Sequence, residues 1–162
     1  MDLLLTRIDD RLIHGQVSVG WVGRLFPDCV IVLDDEVAAD AWENQLVCST
    51  CPDSVDVEVH AIEEGAAQLK AGLHAGQRVI LLVRSARSAV RMVEAGLAPR
   101  EINVGGIHHH PGSRSYLPYV YLDDDEVECL RSLVRRGIKV TAQDLPGNRA
   151  VDMGELLGRG DA

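Results

Sequence analysis

The chain has 162 residues, a length suited to one domain at roughly 150 residues per domain. It is 46% hydrophobic and 25% charged, a globular composition that excludes wholesale disorder. Sixteen Lys+Arg against 25 Asp+Glu leave a net charge of −9, which argues against nucleic acid and anionic membrane surfaces as partners, and 4% aromatic residues provide few stacking platforms.

Short β-branched runs alternate with helical spacing along the chain. Leu3–Ile8, Val30–Leu33, Val55–Val59, Val79–Val83, Ile102–Val104, Tyr119–Leu122 and Ile138–Thr141 are the expected strands. Several are almost wholly apolar, as strands buried on both faces of a parallel sheet must be. Ala86, Ala89, Val90, Val93 and Leu97 form one helical stripe, and Val127, Leu130 and Val134 another. The second helix opens on Asp123–Glu126 and closes on Arg135-Arg136-Gly137, charges that complement its dipole and a glycine suited to its C′ position. The expected fold is therefore α/β: one domain over 1–158, an open, mostly parallel twisted sheet of about seven strands with helices on both faces, and a short tail over 159–162. The longest apolar runs, Cys29–Leu33 and Val79–Val83, have five residues each, against the roughly 20 of a membrane span. With no secretory signal pattern at the N-terminus, the expectation is a cytoplasmic protein with reduced cysteines.

In such sheets ligands bind beyond the carboxyl ends of the strands. The loop after the first strand, Arg7-Ile-Asp-Asp-Arg-Leu-Ile-His-Gly-Gln-Val17, gathers two Arg, two Asp and one His. A helix is expected from about Gln16, since Val17, Trp21 and Leu25 repeat at i, i+4 and i+8. His14 then lies just before a helix N-terminus, where free N–H groups favour an anion, and Gly15 lets the chain turn and a ligand come close. An imidazole is a competent nucleophile at neutral pH, and the Arg11 fork can neutralise phosphoryl oxygens. Two readings stay open on residues alone: a histidine that accepts a phosphoryl group, or a salt-bridged loop with a structural histidine. Asp10 either fixes the tautomer of His14 or braces the loop through Arg7 or Arg11.

Three other clusters offer chemistry. Cys48-Ser-Thr-Cys51 has C-x-x-C spacing, but Cys29 and Cys129 supply no second pair, and the motif ends a helical pattern where a redox motif should open one. His108-His109-His110 are consecutive, so their side chains diverge. Asp34, Asp35 and Glu36 suit the cap and first turn of a helix better than a metal site. No metal and no cofactor is called for.

Arg7–Val17 with Trp21 resembles the signature of the mannose/fructose/sorbose-type IIB component of the bacterial phosphotransferase system. Val32–Ala38, Leu81–Arg84, Ile102–His108 and Gly137–Val140 resemble further segments of that family in order. The stretches Leu46–Pro52 and His108–Arg114 depart from it. The resemblance implies a protein-N(pi)-phosphohistidine–sugar phosphotransferase whose phosphohistidine falls on His14 and whose phosphoryl-clamping arginine falls on Arg11, with Asp10, Gly15 and Gln16 in support. It implies a IIA phosphodonor, membrane IIC and IID subunits holding a hexose, and peripheral association with that permease, and it leaves room for a homodimer. Two other hypotheses keep their place: a regulatory phosphoprotein with the same His14 chemistry, and a metal-binding module built on the Cys or His clusters.

Overall fold

The computed structural model describes residues 1–158; the expected tail over 159–162 lies outside the described residues. The elements run β1 (Asp2–Asp9), a π-helical segment (Gln16–Trp21) continuing into α1 (Val22–Leu25), β2 (Cys29–Leu33), α2 (Asp35–Ala39), α3 (Ala41–Cys48), β3 (Asp56–His60), α4 (Ile62–Lys70), β4 (Arg78–Val83), α5 (Ala86–Glu94), β5 (Glu101–Gly106), β6 (Arg114–Leu117), β7 (Val120–Leu122), α6 (Asp124–Arg135), β8 (Lys139–Ala142), β9 (Val151–Asp152) and α7 (Met153–Gly158). The main sheet has seven strands in the order β3-β2-β4-β1-β5-β8-β9, parallel except for β9, which runs antiparallel to β8.

Period-two alternation splits the sheet's side chains between two cores. Cys29, Ile31, Leu33, Val79, Leu81 and Val83 face α4, α5, α6 and α7. Val30, Val32, Ile80 and Leu82 face the π-helical segment, α1 and α2 through Val17, Trp21, Val22 and Val37. Helices thus cover both faces, and β2 is buried at all five positions.

Seven strands is the expected number, but the membership differs. The Tyr119–Leu122 run forms β7, which pairs antiparallel with β6 in a separate two-stranded sheet. Val120 and Leu122 still bury themselves in the main core, which is why the run is apolar. The seventh place belongs to β9, a two-residue strand with no apolar pattern to reveal it. In α6 the buried face is Val127, Leu130 and Leu133, whereas Val134 is 37% exposed. Gly137 takes φ +82, and the Gly137 and Ile138 N–H groups bond back to the Val134 and Leu133 carbonyls, the Schellman ending expected of a C′ glycine.

The order places β1 between β4 and β5. The connection leaving β1 crosses one face of the sheet, while the connection after β5 leads to α6 on the other. The connections leaving the paired carboxyl ends of β1 and β5 therefore go to opposite faces, and the crevice that such a switch point forms lies above these ends.

Candidate active site

Asp9 ends β1 in this crevice, opposite Gly106 of β5, and is fully buried. Its carboxylate organises the site. Oδ2 accepts from Arg7 Nε at 3.3 Å and Nη2 at 3.0 Å. Oδ1 accepts from the Arg11 backbone N–H at 3.2 Å, faces Arg11 Nε at 3.7 Å, and lies 3.1 Å from His14 Nε2. The other imidazole nitrogen, Nδ1, accepts the Gln16 backbone N–H at 3.2 Å. An ionised carboxylate only accepts and a backbone N–H only donates, so both bonds require the same tautomer: the proton on Nε2 and the lone pair on Nδ1. Desolvation holds the His14 pKa below its ordinary value against the opposing pull of Asp9, and the Arg11 and Arg7 charges add to the lowering.

The loop is shaped to bring these groups together. Leu12, at φ +54, makes a left-handed turn in this loop. Gly15 itself is right-handed helical (φ −50, ψ −38) and caps the π-helical segment; a Cβ there would meet nothing within 4 Å. Its use is the space it leaves beside His14, not a special dihedral. The His14 carbonyl accepts the Val17 and Ser18 N–H groups and so starts the helix. Arg11 is 44% exposed, and its Nη2 donates to Gln16 Oε1 at 3.3 Å, so its guanidinium flanks the open side of the loop.

Asp10 does neither of the things expected of it. Its carboxylate accepts the His108 N–H at 2.6 Å and pairs with His108 Nδ1 at 2.7 Å, tying the β1 loop to the loop after β5. Asp9, the residue one step earlier, fixes the His14 tautomer. Strand alternation explains the exchange: Asp9 points in beside the buried Arg7, and Asp10 points out.

Arg7 is the member of the site that residue types alone do not reveal. It is fully buried, and Nη1 donates to Asn103 Oδ1 at 2.6 Å and to the Gln143 carbonyl at 2.8 Å, while Nη2 also reaches the Asp144 carbonyl at 3.1 Å. Its guanidinium carbon lies 5.5 Å from the Trp21 ring centre, and Trp21 Nε1 donates to the same Asp144 carbonyl. Gly105 makes room for it, since a methyl group there would overlap the guanidinium.

The remaining clusters resolve without joining the site. Asp34 caps α2 through the Val37 N–H and pairs with Arg84 at 2.7 Å. All four cysteines are free, and α3 ends on Cys48. His109 packs edge-on against Tyr121, and His110 turns towards Asp123 and Glu126. A cavity of about 760 Å³ is lined by the amino-terminal half of β1 together with Trp21, Asn103 and Gln143, and does not include His14.

The family model described as PTS system sorbose subfamily IIB component matches residues 3–162. The chain belongs to the sorbose-type IIB family. It is a IIB component, a phosphocarrier of the sugar phosphotransferase system. It is 34% identical over 150 residues to N-acetylgalactosamine-specific phosphotransferase enzyme IIB component 1 of Escherichia coli K12, covering 91% of this chain and 94% of that one. It is 32% identical over 157 residues to the mannose-specific EIIAB component of the same organism, spanning 97% of this chain but 49% of that longer one. Among solved structures, the IIB domain of the sorbose permease of Klebsiella pneumoniae superimposes with TM-score 0.90 at 26% identity, covering 98% of both chains. The sorbose-type IIB fold thus agrees with the α/β sheet built from the strands above, and no helix among the described residues is long and apolar enough to cross a membrane.

Proposed function

We propose that His14 is the phosphohistidine of this IIB component, and that the phosphoryl group is carried on Nδ1. The supporting observation is the pair of bonds on its ring: with Nε2–H committed to Asp9, Nδ1 alone has a lone pair. That lone pair attacks the phosphorus of a phosphorylated IIA protein, the donor N–P bond breaks, and the donor nitrogen recovers its electron pair. As the new N–P bond forms, the ring gains positive charge, which Asp9 on the opposite side stabilises. In the second step a sugar hydroxyl oxygen attacks the phosphorus, the Nδ1–P bond breaks with its electron pair returning to Nδ1, and the hydroxyl proton passes to solvent. Charge stays on the three phosphoryl oxygens throughout, and the Arg11 fork and the Gln16 N–H are the nearby donors that would hold them. Gly15 leaves the approach clear, and Asp10 fixes the neighbouring loop through His108.

This makes the chain a protein-N(pi)-phosphohistidine–sugar phosphotransferase acting in the cytoplasm at a membrane permease of IIC and IID subunits. The mannose-specific relative, whose name joins IIA and IIB in one component, supports a IIA phosphodonor. The relatives' names specify N-acetylgalactosamine, fructose, mannose and sorbose, so the substrate class is a hexose or its amino derivative. The test is incubation with a phosphorylated IIA protein followed by mapping of the acid-labile phosphate. Label on His14 that disappears in a folded His14→Ala protein is the expected result; full labelling of His14→Ala would remove His14 from the site.

A further inference from the structure

Three metal-ligating side chains converge at the end of the sheet opposite His14. Cys29 opens β2, Glu58 lies in β3, and His74 lies in the turn before β4. One donor atom from each, Sγ, a carboxylate oxygen and an imidazole nitrogen, lie within 4.8 Å of one another. We propose that Cys29, Glu58 and His74 form a zinc site.

The donor set suits the ion. Thiolate, imidazole and carboxylate are the three ligand types zinc takes from proteins, and three of them leave a fourth tetrahedral position for water. A thiolate and a carboxylate balance the two charges of Zn²⁺ with the histidine neutral. The outer partners needed to aim such ligands are in place. Gln77 Oε1 hydrogen-bonds His74 Nδ1, which turns Nε2 towards Glu58 Oε2 at 3.0 Å. His60 Nε2 reaches the same Glu58 oxygen at 3.0 Å and steadies it from the other side. His74 sits at φ +60, a left-handed conformation uncommon outside glycine and asparagine, with its side chain only 8% exposed. Cys29 is 1% exposed, and its thiol has only a long 3.7 Å contact with the Val30 carbonyl. Without metal, the close approach of His74 Nε2 to Glu58 needs a proton between them. Zinc takes the place of that proton and of the thiol proton, and both pass to the buffer. Glu58, at 40% exposure, provides the entry side.

A second triad, His110, Asp123 and Glu126, also brings donor atoms together, but both its carboxylates are committed to the capping box of α6. It serves as the control. The full chain, stripped of metal, is titrated with Co²⁺ and then with Zn²⁺. The expected result is one equivalent of tetrahedral cobalt with a thiolate-to-cobalt band, displaced by zinc, and a rise in Tm of roughly 5–10 °C at free zinc a hundredfold above Kd. Cys29→Ser should lose the band. Because Cys29 is buried, the more exposed Glu58→Gln and His74→Gln carry the decision: each should weaken zinc at least about 100-fold, beyond what an outer partner costs. His110→Ala, Cys48→Ser and Cys51→Ser should bind like the parent. The site is overturned by a parent that shows neither band nor Tm rise, by a band that survives Glu58→Gln and His74→Gln, or by one that vanishes in His110→Ala, Cys48→Ser or Cys51→Ser.

Discussion

The Asp9 carboxylate divides its oxygens between two jobs: Oδ2 neutralises the buried Arg7, and Oδ1 holds His14 and Arg11. Asp9→Asn keeps the shape but leaves Arg7 buried without a counter-charge and removes the acceptor that selects the Nε2–H tautomer. Stability should fall by about 3–5 kcal/mol, the usual cost of breaking a buried pair. Phosphoryl acceptance should fall by up to ~10⁴-fold, as when a tautomer-fixing carboxylate is lost elsewhere. Single-turnover transfer and Tm on the same preparation check both. For Arg11 the fork and the charge separate. Arg11→Lys keeps only the charge, and Arg11→Gln keeps only some hydrogen bonding, so Arg11→Gln should be the slower, by about 10²–10³ relative to the parent. Near-normal transfer with a small Tm shift would reduce Arg11 to a surface ion pair. The pH profile carries the sign of the His14 shift. A lowered pKa keeps the ring neutral, so acceptance should be flat above about pH 6.5 and fall only as pH drops through a lower value. Because Arg11 contributes to that lowering, Arg11→Gln should move the fall to higher pH. The structure brings His14, Arg11 and Gln16 together, the residues the Arg7–Val17 segment had offered as candidates. The contact with His14 expected of Asp10 falls to Asp9 because residue types do not say which side of a strand's last residue faces in.

At the scale of elements, the site depends on β5 as much as on the loop that holds His14. Gly105 lies against the Arg7 guanidinium, which five hydrogen bonds hold in place. Gly105→Ala would force that group away from Asp9. It should cost about 1–3 kcal/mol by overpacking and slow transfer through the displaced carboxylate. Gly106→Ala is the control: the nearest atoms to its Cβ are 3.6 Å away, an ordinary contact, so Tm should hold. Should the two variants behave alike, Arg7 packing would not be the reason for the glycine pair. The α6 capping box predicts something simpler. Asp123→Ala should lose about 1 kcal/mol and roughly 2–4 °C of Tm, read by thermal unfolding, with transfer intact. The apolar spacing of α5 and the terminal charges and C′ glycine of α6 were legible because local spacing and charge dictate them. β9 and the β6–β7 hairpin were not, since a two-residue strand carries no period and an apolar run does not name its partner.

Across the whole molecule the two proposed sites lie at opposite ends of the sheet. Asp9, His14 and Arg11 stand at the carboxyl ends of β1 and β5, while Cys29, Glu58 and His74 stand at the other end, beside the start of β2. Chelation should therefore leave phosphoryl acceptance unchanged while abolishing any zinc-dependent gain in Tm; a loss of transfer restored by zinc would join the two ends functionally. The α/β class and helices on both faces follow from the near-continuous apolar runs of β2 and β4, whose alternate residues feed two cores. The crevice was legible only as a rule about strand ends; its position between β1 and β5 comes from the strand order, which no local pattern encodes. The central claim is that a buried carboxylate presents one nitrogen of His14. Nitrogen-15 and phosphorus-31 NMR of the protein phosphorylated by its IIA donor reads that nitrogen directly. Phosphate on Nδ1 with Nε2 still bound to Asp9 is the predicted result, and phosphate on Nε2, or on another residue, would contradict it.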